Sequence, residues 1–236
     1  MDRGAKIANA VILGVTSTLG KEIAEDLISE NFNVIGSTRK DINIIKKVDN
    51  KDLIKTKINY HNLDLSNKLS IDRFIDGLKK YREINLFIST IANSLVFNKF
   101  EQIEQSVFED DLKINVLNHI YLIKKLIPMM GKKSCIIFIL TSMVVDTPGY
   151  YSSYVVSKYA LLGLMKSLSQ ELKSKGIRVN SVSPGMMDTK FIVGLPKIVK
   201  ENYKNKSDFI DPKKVAEQII KIYNNLETNG ENILVN

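Results

Sequence analysis

The chain predicts an α/β fold, a doubly wound parallel sheet of seven strands with helices on both faces. Three observations carry that expectation. Short β-branched apolar runs without clear alternation recur along the 236 residues, as strands covered on both faces require. Stretches with helical spacing separate them, and strands that alternate with helices pair in parallel through crossovers. The first run also passes through a small-residue turn into an amphipathic helix, the opening unit of such folds.

In order, the strands are expected at residues 10–13, 33–37, 57–63, 86–90, 135–140, 178–182 and 232–235. The helices are expected at 20–30, 69–81, 106–130, 152–175 and 212–225. Gly176 after Lys173-Ser174-Lys175 reads as a carboxy-terminal cap with cations in the last turn. Asp211-Pro212 reads as an N-cap followed by proline at the first helical position. Residues 190–210, rich in lysine and weakly periodic, are either a mobile helical lid or a surface excursion. No repeat, low-complexity tract or linker divides the chain, so residues 1–236 are expected to form one domain.

Composition excludes several classes. The charged start Met1-Asp2-Arg3-Gly4-Ala5-Lys6 leads into a stretch broken by Gly14 and Thr16-Ser17-Thr18, a poor signal peptide. No run approaches the ~18 apolar residues of a membrane span. One cysteine, Cys135, excludes an internal disulfide and fits a cytoplasmic setting. His61 and His119 stand apart with no cysteine or histidine near them, so no metal site is expected. The formal charge of +8 comes from lysines scattered over every expected helix, without interleaved aromatics. That is a solvated surface rather than a nucleic-acid face.

The chemistry-bearing residues concentrate in two places. Tyr154-Val155-Val156-Ser157-Lys158 follows the apolar run 135–140 and its Thr141-Ser142 end. A phenol and an ammonium one helical turn apart, with a hydroxyl from a neighbouring strand, form a proton-donating site for a carbonyl. The spacing proves nothing alone, since chance supplies about one Tyr-x-x-x-Lys in a chain of this composition. Tyr121 and Lys125 repeat it within a helical stretch whose lysines face solvent, and Tyr121 reads as structural.

The second place is the turn after the first strand. Gly14 permits a tight turn, Gly20 a close approach, and the Thr16, Ser17 and Thr18 hydroxyls offer further hydrogen bonds. This brings a pyrophosphate against backbone N–H groups at a helix amino terminus. The second strand ends in Thr38-Arg39-Lys40, where an acid would bind an adenosine ribose. The cations suit a 2′-phosphate instead, so NADP(H) is preferred to NAD(H). Asp41, the first acid, caps the next helix in the alternative reading.

With these residues in order, the chain resembles the short-chain dehydrogenase/reductase family, in its single-domain branch and near its 3-oxoacyl-carrier-protein reductase-like members. The likeness spans about residues 8–236. The family's Gly-x-x-x-Gly-x-Gly is met at Gly14 and Gly20, with Thr18 at the middle glycine. Asp64 matches the aspartate at the adenine, and Ser89-Thr90-Ile91-Ala92 is a degenerate Asn-Asn-Ala-Gly. Asn115 matches the tetrad asparagine, and Ser183-Pro184-Gly185-Met186-Met187-Asp188-Thr189 the segment over the nicotinamide. Ser142 matches the substrate-binding serine, 12 residues before Tyr154, with Thr141 at 13 as the second choice.

The resemblance implies a Rossmann-type sheet in the order 3-2-1-4-5-6-7 and hydride transfer between the nicotinamide and a carbonyl or secondary alcohol. The catalytic set would be Asn115, Ser142, Tyr154 and Lys158. Turn chemistry and resemblance together give a cofactor set of Gly14, Thr16, Ser17, Thr18, Leu19, Gly20, Thr38, Arg39, Asp64, Leu65, Ile91, Ala92, Tyr154, Lys158, Pro184, Gly185, Met187 and Thr189. Tyr154 would protonate the carbonyl oxygen, Lys158 stabilise the phenolate and bind the ribose, Ser142 hydrogen-bond the oxygen, and Asn115 hold a water linking Lys158 to solvent. Two alternatives stand beside this. One is an NAD-dependent dehydrogenase of a sugar or secondary metabolite; the other is a non-catalytic dinucleotide sensor or interaction protein. The substrate walls would come from Leu95, Val144, Val145, Pro148, Gly149, Tyr150, Tyr151 and residues 190–210. A homodimer or homotetramer would form through the helices containing 118–130 and 152–175.

Overall fold

Seven strands, β1 (Asn9–Leu13), β2 (Asn33–Thr38), β3 (Ile58–Asn62), β4 (Ile84–Ser89), β5 (Met130–Ile139), β6 (Arg178–Pro184) and β7 (Asn232–Val235), form one sheet. Every neighbouring pair is parallel, in the order β3-β2-β1-β4-β5-β6-β7. The coordinates are a computed structural model that describes residues 7–43, 45, 57–205 and 207–236. The charged start, residues 1–6, lies outside them.

The helices are α1 (Thr18–Ser29), α2 (Lys68–Leu78), α3 (Gln105–Leu112), α4 (Asn118–Leu126), α5 (Ser152–Glu171), α6 (Lys197–Lys204) and α7 (Pro212–Asn224). Strand alternation sorts the core into two layers. Val11, Leu13, Phe87, Ile136 and Phe138 pack toward α2, α4 and α5 residues such as Phe74, Leu122 and Leu161. Ala10, Ile12, Ile88, Ile137 and Val182 face the opposite way, toward Ile23 and Leu27 of α1 and Ile219 of α7. Phe87 and Phe138 are fully buried, and truncating either to alanine would cost about 3–5 kcal/mol.

The cap signals hold. Gly176 has φ +71° behind a 3₁₀ turn, and Asp211 accepts a hydrogen bond from the Lys213 N–H at 2.9 Å. Two boundaries move. β5 begins at Met130 rather than 135, through a register shift opposite Ile84 and Leu86 with Lys133 at φ +71°. The exposed Lys132 and Lys133 hid that bulge from an apolar pattern.

The expected helix 106–130 is three pieces, α3, a π-helical turn (Lys113–Leu117) and α4, closed by a 3₁₀ turn (Ile127–Met129) at Pro128. One extra residue in a turn leaves the apolar spacing almost intact but swings the side chains around it. Here it drives Asn115 fully inside. Residues 190–210 hold a 3₁₀ turn (Lys190–Ile192) and α6. β1 and β4 are neighbours whose following connections run to opposite halves of the sheet, and the crevice at their carboxyl ends is where such folds bind ligands.

Candidate active site

A cleft of about 1640 Å³ runs along the carboxyl ends of the strands. Of the expected site residues, all but Gly20 and Asn115 line it. At one end the β1–α1 turn is built for close approach. Gly14 takes φ +80°, a conformation side chains rarely adopt. A Cβ on Gly20 would meet the Gly14 carbonyl oxygen and Val15 Cα, so this glycine lets α1 close onto the turn. Ser17 caps α1, its hydroxyl accepting from the Gly20 N–H at 2.9 Å. Thr18 stands exposed at the first helical position and lines the cleft.

Beyond the turn, Arg39 and Lys40 are exposed at the end of β2, beside the turn's Thr16, whose hydroxyl lies 3.4 Å from that of Thr38. Asp64 has its carboxylate pKa held below the ordinary range, chiefly by the Ser66 hydroxyl and N–H and also by the nearby Arg39 charge. Both Ser66 bonds go to Oδ1.

The degenerate segment after β4 is firmly tied. Ser89 Oγ lies 2.6 Å from His119 Nε2, whose other ring nitrogen bonds the Ile114 carbonyl at 3.0 Å. Burial pushes His119 down to about 4, so it is a neutral strut. The Thr90 hydroxyl donates to the Leu13 carbonyl at 2.8 Å, fixing this segment against the glycine turn. The Asn93 N–H donates to Asn115 Oδ1 at 2.8 Å, and Asn93 Nδ2 donates to Asp111 Oδ1 at 3.0 Å. Asp111 is fully buried. The sequence concealed it, since Glu109-Asp110-Asp111 reads as a solvated helix face.

At the other end Tyr154 and Lys158 are both buried on the first turns of α5. Lys158 Nζ lies 5.5 Å from the centre of the Tyr154 ring and donates to the Ile139 carbonyl at 2.8 Å. Burial pulls the Lys158 ammonium down to about 8, opposed by the negative charge of Asp111. Burial pushes the Tyr154 phenol above its ordinary value, against a lowering hydrogen bond from Thr141.

Both hydroxyls that the sequence offers, Ser142 and Thr141, line the cleft, and Thr141 is the one whose hydrogen bond lowers the phenol. Thr141 continues the strand in an extended conformation, φ −163° and ψ 150°. Ser142 already belongs to the 3₁₀ turn (Ser142–Val144), with its carbonyl accepting from Val145 and Asp146. Three of the expected substrate walls, Val144, Gly149 and Tyr150, are not among the residues lining the cleft, and Val144 is buried in the turn. Asn115 has both ends of its side chain engaged, with Oδ1 accepting from the Asn93 N–H and Nδ2 donating to Ser157 Oγ at 3.0 Å.

Residues 8–197 match the family described as short chain dehydrogenase. The chain is 30% identical over 198 residues to dehydrogenase/reductase SDR family member 4 of Mus musculus, covering 81% of this chain and 70% of that protein. It is 32% identical over 197 residues to the 3-oxoacyl-acyl-carrier-protein reductase FabG of Buchnera aphidicola, covering 82% of this chain and 79% of that protein. Among solved structures, a short chain dehydrogenase of Burkholderia cenocepacia in complex with NADP superposes with a TM-score of 0.85 at 18% identity, over 97% of this chain and 96% of that one. Fold, cleft and sequence agree: the chain belongs to the short-chain dehydrogenase/reductase family, oxidoreductases that use a nicotinamide cofactor on the CH–OH or C=O group of small molecules.

Proposed function

We propose that the protein is an NADP(H)-dependent oxidoreductase that interconverts a carbonyl compound and its secondary alcohol, with Tyr154 as general acid and base. One observation carries the reading: a buried phenol, hydrogen-bonded to Thr141 and one turn from a buried ammonium, opens on a cleft that begins at a helix amino terminus. The cleft suits the cofactor on its own chemistry. Gly14 and Gly20 clear the backbone approach, the α1 N–H groups suit a pyrophosphate, and Arg39 and Lys40 suit a 2′-phosphate. When bound, the nicotinamide supplies or accepts the hydride.

The chain supplies the proton and the polarisation. In reduction, the Tyr154 hydroxyl gives its proton to the carbonyl oxygen while the Ser142 hydroxyl, with Thr141 as the second choice, hydrogen-bonds that oxygen as charge develops. Lys158, lowered to about 8 and so still mostly protonated at neutral pH, stabilises the phenolate left behind. Asn115 acts through structure. Its side chain ties the π turn to α5 and to the Ser89–Asn93 segment.

The same ties speak against a non-catalytic sensor, because two of the departures from the family pattern in 89–92, Ser89 and Thr90, have partners that keep the loop in place. The NADP-bound neighbours are consistent with the cofactor choice. A cytoplasmic homodimer or homotetramer belongs to the same proposal. Its support is the single buried cysteine, the lack of a membrane-spanning helix among the described residues, and exposed apolar side chains such as Leu117, Val156 and Tyr159 on the π turn and α5.

The test is fluorescence titration with NADPH and NADH, followed by turnover of a panel of carbonyl compounds. Tight NADPH binding with carbonyl-dependent NADPH oxidation is expected. Binding without turnover of any carbonyl or alcohol would return the sensor reading.

A further inference from the structure

Outward from Tyr154, the cleft changes character. Tyr151, Val155, Ile192 and Leu195 form a buried apolar cluster against which Phe97 and Met186 pack. The Phe97 ring lies 5.1 Å from Tyr151 and 5.3 Å from Tyr150. Phe191 leans over the reacting phenol, 5.7 Å between ring centres, yet keeps 38% of its surface in solvent. Val145, on the opposite lip, is 60% exposed. Large apolar groups left open around one cavity mark a surface that a ligand covers.

The charges tell the same story by position. Lys21, Arg39, Lys40 and Asp64 line the end beside the glycine turn. Near Tyr154 the charged lining residues other than Lys158 are Asp146 and Lys190, both exposed at the rim. Asn93, an amide that lines the cleft, donates from its Nδ2 to Asp111 and from its N–H to Asn115. A carboxylate or a polyhydroxylated chain seated there would lose its water without fixed partners in return.

We propose that the substrate is an uncharged carbonyl compound carrying a sizeable apolar group, seated between Phe191 and Tyr151, which line the cleft with Phe97 packed against Tyr151. This rests on the reading that Tyr154 protonates a carbonyl. The test separates binding from turnover. Methyl ketones lengthened one methylene at a time are titrated into the Tyr154→Phe protein with NADPH bound, and reduced by the unaltered enzyme, with fructose and pyruvate as polar and anionic probes.

Affinity and kcat/KM should both rise about fourfold per methylene, the ratio set by about 0.8 kcal/mol per buried CH₂. Phe191→Ala should flatten that slope. A series without chain-length dependence, or tighter binding of fructose or pyruvate, overturns the proposal. Ketones that bind with the expected slope but are not reduced would uphold it and overturn the carbonyl-reductase reading instead.

A second inference comes from the buried acid. Asp111 Oδ2 and the neighbouring Ser153 Oγ are buried without an aligned hydrogen-bond partner. The other oxygen roots a chain through Asn93, Asn115 and Ser157 to the Tyr154 carbonyl, which accepts from Ser157 Oγ at 2.7 Å. The structure assigns Asp111 as a positioning residue, holding the asparagine pair in place and setting the field at Tyr154 and Lys158.

The groups around it are Lys158 and Tyr154 of α5, Asp110 on its own helix, and His119 of α4, which is neutral and faces Lys158. Its negative charge favours the Lys158 ammonium and disfavours the Tyr154 phenolate, so it raises both groups. Removing the charge in Asp111→Asn, which keeps the shape, should displace both limbs of the pH–rate profile toward acid by about 0.5–1 unit. Asp111→Ser should move them the same way. An unshifted profile in a folded variant of either kind overturns the assignment, because a purely structural acid would change rates without moving the limbs.

Discussion

Two tyrosine–lysine pairs with the same spacing sit on neighbouring helices, and their lysines lie at similar distances from the rings, 4.8 Å for Lys125 over Tyr121 and 5.5 Å for Lys158 over Tyr154. Everything else differs. The Tyr121 hydroxyl donates to Asp72 at 2.9 Å, and Lys125 meets the same carboxylate at 2.9 Å on the outer face of α4. Asp72 is thereby held below its ordinary value, and Lys125 above its own, each first by their mutual hydrogen bond. Lys158 has no paired carboxylate, and burial takes it the opposite way, to about 8. One pair is satisfied by a third partner; the other is left with unspent capacity beside a cleft. Spacing alone makes a cation–ring contact, and burial decides whether that contact can do chemistry.

The sharpest way to break this comparison is to remove each phenol. Tyr154→Phe should keep NADPH binding and lower kcat/KM by about 10²–10⁴, the usual contribution of a positioned acid–base group. Tyr121→Phe should leave turnover near that of the parent and loosen only the Asp72 contact. Comparable losses in both, measured by NADPH oxidation with a turned-over ketone, would mean that Tyr154 has no special role.

The same comparison explains what the sequence could and could not reveal. Strand order and the Gly14–Gly20 turn were legible because they depend on β-branched runs and on glycines that no other residue replaces. Tyr154 and Lys158 were legible through their company. Which hydroxyl serves Tyr154 was not, because Thr141 and Ser142 are adjacent and both line the cleft. Beyond the end of β5 the backbone is extended at Thr141 and turns at Ser142. The break at Lys113–Leu117 escaped because one added residue scarcely disturbs apolar spacing. Asp111 escaped because its burial comes from that break and from α5 crossing over it, neither of which a run of three acids discloses.

The nucleotide end gives Tyr154 a partner that Tyr121 lacks, and it can be weakened by itself. Arg39 is exposed at the end of β2, near Asp64, with no carboxylate bonded to it among the described salt bridges. Arg39→Ala should weaken NADPH by about tenfold and leave NADH nearly unchanged, since a charge-assisted bond to a phosphate oxygen is worth about 1.5–3 kcal/mol. Equal effects on both cofactors, read by fluorescence titration, would remove the phosphate role.

The smallest effect is the most diagnostic of burial, and it has opposite signs in the two pairs. Moving Lys158 from 10.5 to about 8 costs the folded state about 3 kcal/mol near neutral pH. Lys158→Met relieves this cost and loses the bond to the Ile139 carbonyl, worth about 1 kcal/mol. The net expectation is a Tm higher by roughly 4–8 °C in a protein with little turnover, a trade of stability for function. Between about pH 8 and 10.5 the unfolded chain keeps a proton that the folded chain has shed, so the parent gains stability with rising pH and its gap to the variant closes. Lys125→Met should instead lower Tm slightly. The stabilisation it removes is present below the unfolded value of 10.5 and fades as pH rises through the higher folded value. Thermal melts of both variants at pH 7 and pH 10 read the two signs directly. A Lys158→Met protein that melts below the parent at pH 7 would show that Lys158 is not a strained cation awaiting a ligand but a satisfied one, as Lys125 is.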